Sequence, residues 1–296
     1  MHESILIFAI FIDLLFGEPS EKYHPVVWIG SLIDFLKNIL KKNRLSGCIL
    51  VSIVVGVSIA IGCLIVSLHP IVSFIFSVYF LKSTISIKSL LDASYKIMAL
   101  IEKNNSFAKK ELIALVGRDT KNLSKEELSS AVIESVAENF VDGIVSPIFY
   151  FVLFGLPGAI GYKAINTLDS MIGYRHFGAF GWCSARMDDV ANYIPSRISI
   201  IFIFIASLIY GSLYSSIQVV KKDCNNTPSP NSGWSMSAMA GALEVSLKKP
   251  CCYLLGAEFN LPTTNDIERA NNIIKMASYL LIIVALGVMY FTLLPL

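Results

Sequence analysis

Long apolar runs broken by turn residues set the pattern of this chain. Residues 47–68 carry no charged side chain, and a helix crosses a bilayer with roughly 20 mostly apolar residues. His69-Pro70 breaks that run, and residues 71–81 continue as a second one that extends toward residue 91. Residues 198–214, rich in Ile, form a third, and residues 276–294 a fourth. Two further segments are weaker. Residues 5–16 are short for a full crossing, while residues 144–162 hold Pro147, Pro157 and three glycines. The second reads as a kinked span or a re-entrant element, which is tolerated only where protein or a cavity satisfies its backbone. The pattern predicts an all-α, multi-pass helical membrane bundle of about 4–6 segments.

Polar stretches separate the runs. Lys37, Lys41, Lys42 and Arg44 precede the run at 47–68, and the large loop 92–143 carries Lys96, Lys103, Lys109, Lys110, Arg118, Lys121 and Lys125. The positive-inside rule puts both on the cytoplasmic side, consistent with the two runs between them. Residues 163–197 form a polar, motif-rich region whose side of the membrane charge does not decide, and residues 221–275 form a second polar loop. Residues 225–232 (N-N-T-P-S-P-N-S) are turn chemistry. No internal repeat stands out, so 1–296 is read as one integral membrane domain.

Composition agrees. Hydrophobic residues make up 54% and charged residues 16% of the 296 positions, with mean hydropathy +0.64. Soluble domains carry about 25% charged residues, so lipid is the expected solvent, in the cell membrane. A net charge of +2 argues for no nucleic-acid partner. The six cysteines show no C-x-x-C or zinc spacing and imply no disulfide framework. Residues 5–16 lack a basic leader and a small-x-small cleavage site, so they read as a retained membrane segment.

The candidate chemistry lies mostly between residues 117 and 197. Ser124 and Glu127 form a capping-box pattern that opens a helix from about 125 to 141, ended by Gly143. On that helix Glu134, Glu138 and Asp142 follow one another at four-residue spacing, opposite an apolar face. Such carboxylates repel by a few tenths of a kcal/mol, which a divalent cation or cationic partner relieves; a solvated helix face is the plainer alternative. Arg118 and Asp119 lie just ahead of this helix and read either as a phosphate clamp or as a surface ion pair. Asn166 and Asp169 share a helical face, as do Asp188 and Asn192, with Asp189 adjacent. Polar groups this close to apolar spans are costly unless they serve a site or pair with each other. Arg175, Arg186 and Arg197 suit phosphate oxygens or pair with the aspartates. Asp13 sits inside an apolar run, followed by Glu18 and His24; it belongs to a site or caps a turn at the interface. Asn231, Ser232 and Gly233 open a small-residue segment that suits either an anion at a helix start or tight helix packing. No P-loop or glycine-rich nucleotide fingerprint is present.

The order of these segments is more specific than any one of them. D-x-x-x-G-E-P from Asp13, H-P-V-x-x-x-G from His24, G-R-D-T from Gly117 and A-x-x-E-S-x-A-E-N-x-x-D-G from Ala131 come first. N-T-L-D-S-M-x-G-Y from Asn166, F-G-W-x-x-A-R-x-D-D-x-x-N-x-x-P-x-R from Phe180 and N-x-G-W-x-M-S-A-M-A-G-A-L from Asn231 follow. Together they resemble the adenosylcobinamide-phosphate synthase family of cobalamin biosynthesis. The chain departs from that family's pattern in the short stretch 176–179 and at Glu244, where the family more often has Gly.

The resemblance implies a membrane ligase that joins aminopropanol, or its O-phosphate, to the free f-side-chain carboxylate of adenosylcobyric acid. ATP and Mg²⁺ are the implied cofactors. The resulting site expectation takes Glu134, Glu138, Asp169 and Asp188 as catalytic and Glu138, Asp142, Asp188 and Asp189 as the metal-binding set. Arg118, Asp119, Asn139, Asn166, Arg175, Arg186, Asn192, Arg197, Asp13, Glu18, His24 and Asn231 are assigned to substrate or phosphate. Membrane lipid, a second copy of the chain and other cobalamin-assembly enzymes are the expected partners beside the corrinoid. Two other functions use the same residues: a Mg²⁺-dependent membrane prenyl- or phospho-transferase, and a corrinoid-binding scaffold without catalysis.

Overall fold

The computed structural model describes residues 1–103, 105–116 and 123–293. In chain order the helices are α1 (His2–Phe16), α2 (Pro25–Ile39), α3 (Arg44–Ser67), α4 (Pro70–Lys82) and α5 (Ile87–Lys103). Next come α6 (Asn105–Val116), α7 (Lys125–Phe140), α8 (Ser146–Ile172), α9 (Trp182–Ala191) and α10 (Tyr193–Tyr210). The chain ends with α11 (Leu213–Asp223), α12 (Ser232–Leu243), the strands β1 (Leu247–Lys249) and β2 (Tyr253–Leu255), and α13 (Thr264–Leu293). The strands pair antiparallel, Leu247 opposite Leu255, in an otherwise helical chain. Among the described residues, five stretches are long and apolar enough to cross a bilayer: Arg44–Ser67, Pro70–Lys103, Lys125–Ile172, Tyr193–Tyr210 and Thr264–Phe291. Their outward faces are apolar, as at Ile53 and Leu64 on α3, Ile205 and Leu208 on α10, and Ile283 and Val288 on α13. Exposed apolar surface on this scale has lipid as its natural solvent. The chain is a multi-pass helical membrane protein.

It divides into two compact units, Met1–Ser86 with Asp142–Asn192 and Ile282–Leu296, and Ile87–Val141 with Tyr193–Leu281. In the first, α8 packs along α3, α2 and α4, and α9 packs on α8 and α3. Ile33, Leu50, Val54, Leu168, Ile172 and Phe180 fill its core. A Cβ on Gly62 would fall 2.7 Å from Pro157 Cα, so only a glycine lets α3 meet α8 there. The expected kink is present: Gly155 takes φ 65°, ψ −156° inside α8, two residues before Pro157. A proline has no N–H for the helix and its ring crowds the preceding turn. Gly143, by contrast, does not end a helix. Residues Val141–Val145 form a π-turn and the chain runs on into α8, because the sequence beyond is apolar and Pro147 suits a helix's first turn.

In the second unit α5, α6 and α7 pack on one another, α7 also meets α12 and β1, and α12 packs on α10 and α11. Much of the stretch read as a polar loop is therefore helical. Ser124 caps α7 with the reciprocal Glu127 bond in place. The apolar-inside, acidic-outside division of α7 does not hold: Leu128 through Ala137 are all buried, Glu134 among them. Helices and hairpin cover both faces, so Glu134 must find its partners inside protein.

Candidate functional site

Helices α8 and α9 of the first unit, with the π-turn before α8, place polar groups together. Asn192, at the end of α9, is buried and forms the hub. Its Oδ1 accepts hydrogen bonds from Ser146 Oγ at 2.7 Å and Tyr162 Oη at 2.9 Å, and its Nδ2 donates to Asp188 Oδ2 at 3.1 Å. One turn of α9 separates Asp188 from Asn192, which brings the two side chains onto one face. Asp188 Oδ1 is buried and makes no hydrogen bond among the described residues. Around it stand the carboxylates of Asp142 and Asp169, with Asn166 beside Asp142 and Asp188. Burial, and then the Asp142 and Asp169 charges, push the Asp188 carboxyl well above the usual carboxylate range, against the opposing pull of Asn192 and Asn166. Asp189 accepts from exposed Arg186 Nη1 at 2.7 Å, and its carboxylate is also within electrostatic reach of Asp169. Burial raises its carboxyl and Arg186 offsets part of that rise.

A second cluster joins α1, α4 and the turn before α2. Asp13 is fully buried, with Lys82 Nζ 3.6 Å away. Lys82, itself buried, donates to Glu18 Oε2 at 2.9 Å, and His24 Nε2 lies 2.8 Å from the same oxygen. His24 Nδ1 accepts from Val26 N at 3.1 Å, capping α2, which directs the Nε2 proton to Glu18. Burial pushes the Glu18 carboxyl up, but the bonds and charges of His24 and Lys82 outweigh it and leave it below its ordinary value.

Lys163, on α8 between Tyr162 and Asn166, is in electrostatic reach of both Glu18 and Asp142. The two clusters are thus joined by one ammonium. A cavity of about 420 Å³ opens onto Glu18 and Lys82, and one of about 170 Å³ onto Lys163.

The structure brings together Asp13, Glu18 and His24 in one cluster and Asp142, Asn166, Asp169, Asp188 and Asn192 in the other. Lys82 and Lys163 were missed by the sequence reading. The available signal was a lysine within an apolar run, which by itself reads as a snorkelling side chain.

The second unit holds the other expected residues. Glu134 accepts from Ser130 Oγ and from Tyr253 Oη, each at 2.8 Å; these bonds tie α7 to the hairpin. Asn139 Nδ2 donates to Ser135 O at 2.9 Å, and Glu138 is exposed. Glu127 pairs with Lys248 at 3.1 Å. Arg197 lies over the rings of Tyr193 and Trp234, 3.7 and 4.7 Å from their centroids. It donates to Asn231 Oδ1 at 2.8 Å and so anchors the start of α12 to α10. Arg118, Asp119 and the side chain of Arg175 lie outside the described residues. Among the described residues, no group of three or more His, Cys, Asp or Glu is arranged to hold a metal ion unaided. An ion carried by phosphates asks less: Mg²⁺ in such sites takes one or two carboxylates, the remaining ligands being phosphate and water. Asp188 Oδ1 and the neighbouring Asp142 meet that requirement.

The model of the CobD/Cbib protein family matches residues 6–281. A probable cobalamin biosynthesis protein CobD of Methanothermobacter thermautotrophicus is 41% identical over 288 residues, covering 96% of each chain. The one from Methanocaldococcus jannaschii is 37% identical over 296 residues, covering 94% of each. The cobalamin biosynthesis protein CbiB of Salmonella typhimurium is 38% identical over 273 residues, covering 87% of this chain and 85% of that one. No solved structure matches the chain. Motif order, helical membrane architecture and identity along nearly the whole length agree, and the chain belongs to the CobD/CbiB family of cobalamin biosynthesis proteins.

Proposed function

We propose that this protein is an ATP-dependent acid–amine ligase that attaches aminopropanol, or its phosphate, to the f-side-chain carboxylate of adenosylcobyric acid. The observation that carries the reading is the buried Asp188 Oδ1, which makes no hydrogen bond among the described residues and lies among Asp142, Asp169 and Asn166. Three acidic groups clustered beside apolar spans are costly to the fold even with the Lys163 charge in reach of Asp142, and a cation held with a nucleotide's phosphates would offset that cost.

A carboxylate and an ammonium do not condense in water, so the acid must be activated and the amine deprotonated. When bound, ATP would give its γ-phosphoryl group to the acid's carboxylate oxygen and leave as ADP, and a bound divalent cation would neutralise charge in that transfer. The chain's residues supply the rest. Asp142 and Asp188 would hold the metal–nucleotide, with Asn166 and Asn192 orienting those carboxylates and Tyr162 fixing Asn192. The amine nitrogen attacks the activated carbonyl, phosphate leaves, and the amine's proton passes to a carboxylate. Asp169 is the candidate for that proton, because it flanks the pair and is not used to hold the nucleotide.

The test is to give purified protein adenosylcobyric acid, ATP, Mg²⁺ and either amine, and to weigh the corrinoid product. The expected product carries the mass of one amine less one water. Asp188→Asn is expected to lower turnover by at least about 10²-fold, the usual scale for a lost catalytic acid–base or charge-stabilising group. An unchanged corrinoid mass with the wild type rejects the ligase reading. A near-normal rate in Asp188→Asn rejects the carboxylate site while leaving the reaction standing.

A further inference from the structure

Lys163 stands in a setting that the carboxylate site does not explain. It lies on α8, within a stretch long enough to span the membrane. Its ammonium makes no hydrogen bond or ion pair among the described residues; Glu18 and Asp142 act on it only at longer range. A half-buried ammonium with no partner is expensive in an apolar bundle. Lys82, the other lysine of this unit's polar seam, shows the contrast: Glu18 is bonded to it at 2.9 Å.

What Lys163 does have is space. It lines a cavity of about 170 Å³ between α2, α3 and α8, with Trp28 and Phe80 as aromatic walls and Ser58 and Thr84 beside them. Lys163 is the only charged group of that lining. A cavity of ~150 Å³ holds a molecule the size of benzene, so this one takes a ligand of fewer than about ten heavy atoms. It is too small for a corrin ring or a nucleotide. Apolar walls with a single convergent cation suit a small molecule that has a short hydrocarbon portion and one oxyanion.

We propose that the Lys163 cavity is a subsite for a small phosphate ester, whose phosphate oxygens bond the Lys163 ammonium while its short carbon chain lies against Trp28 and Phe80. Resting on the ligase reading, the subsite belongs to the acceptor amine. Of the substrates named there, only the aminopropanol half is this small, and its phosphate-bearing form supplies the oxyanion. Lys163 then acts as a specificity-determining residue. It holds the far end of the amine while the amino group faces the Asp142 side, from which Lys163 already feels a carboxylate.

Binding and turnover test this separately. Trp28 lines the cavity, so its fluorescence reports occupancy in the full chain in detergent, with aminopropanol phosphate as the probe and corrinoid and ATP omitted. The wild type is expected to saturate. Lys163→Met should weaken binding at least about tenfold, the scale of a lost charge-assisted hydrogen bond, and Lys163→Arg should restore most of it. Unphosphorylated aminopropanol should bind wild type and Lys163→Met alike. In turnover, the KM for the phosphorylated amine should rise in Lys163→Met while the KM for corrinoid and ATP stays put. Equal probe affinity in wild type and Lys163→Met, or no saturation by the wild type, overturns the subsite. A wild type that binds the ester in a Lys163-dependent way but forms no amide keeps the subsite and removes the ligase reading.

Discussion

At the scale of single residues, the backbone explains a position that looked like a family departure. Glu244 follows α12 in the left-handed region, at φ 56°, ψ 49°, where a Cβ costs roughly 1–2 kcal/mol and glycine costs little. Its carboxylate accepts from Ser215 Oγ at 2.7 Å, which offsets part of the strain. Glu244→Ala loses the bond and keeps the strain; Glu244→Gly loses both. The Gly variant should therefore be the more stable of the two by about 1 kcal/mol, or roughly 2–4 °C in Tm. Helix-interior propensity alone gives the reverse order, so thermal unfolding in detergent discriminates. The same scale shows why some of the site was legible and some was not. Asp188 and Asn192 lie four apart on one helix, so local spacing was enough to pair them. Lys82 and Glu18 are 64 positions apart, and the partnership arises only from packing. Glu134 carried a visible acidic pattern, but the hydroxyls that bond it come partly from Tyr253, which no helical periodicity relates to it.

Among elements, α8 carries the most information. Its sequence shows two prolines and three glycines in an apolar run, and from these a kink follows but not its place. The break sits at Gly155, with φ 65°, and allows Pro157 to approach Gly62 of α3. Gly155→Ala is expected to cost about 1–2 kcal/mol from the left-handed backbone alone, read as a lower Tm in detergent. Stability equal to wild type means that the helix straightens without loss and that the break is not required for packing. The π-turn at Val141–Val145 was not legible, since its residues are compatible with an ordinary helix; such bulges are frequent at functional sites. Here it carries Asp142, a member of the carboxylate cluster. The capping box of α7 was legible because it is a local rule. The burial of α7 was not, because it depends on α12 and the hairpin, remote in sequence.

For the molecule as a whole, the acidic cluster sets a coupling between protonation, stability and ligand. Asp188, on a helix outside the spanning stretches, keeps its proton to higher pH in the folded state than in the unfolded chain, because burial and the Asp142 and Asp169 charges disfavour its ionised form. Between the ordinary aspartate value of about 4 and its raised folded value, the folded protein binds more protons than the unfolded one. Stability from this group is therefore fully present below the unfolded value and declines as pH rises through that window. A divalent cation held with nucleotide phosphates competes with the same proton, so its apparent affinity must increase with pH. Two measurements check both halves. In detergent without divalent cations, the Tm of wild type should fall, as pH rises above the ordinary aspartate value, more steeply than that of Asp188→Asn, whose amide does not titrate. Mg²⁺ with ATP should raise the wild-type Tm more at the higher pH than at the lower. The amide variant should show a smaller rise with little pH dependence. Parallel slopes for the two proteins locate the titration at some other group, and a larger Mg²⁺–ATP effect at the lower pH contradicts a metal–nucleotide site built on Asp188.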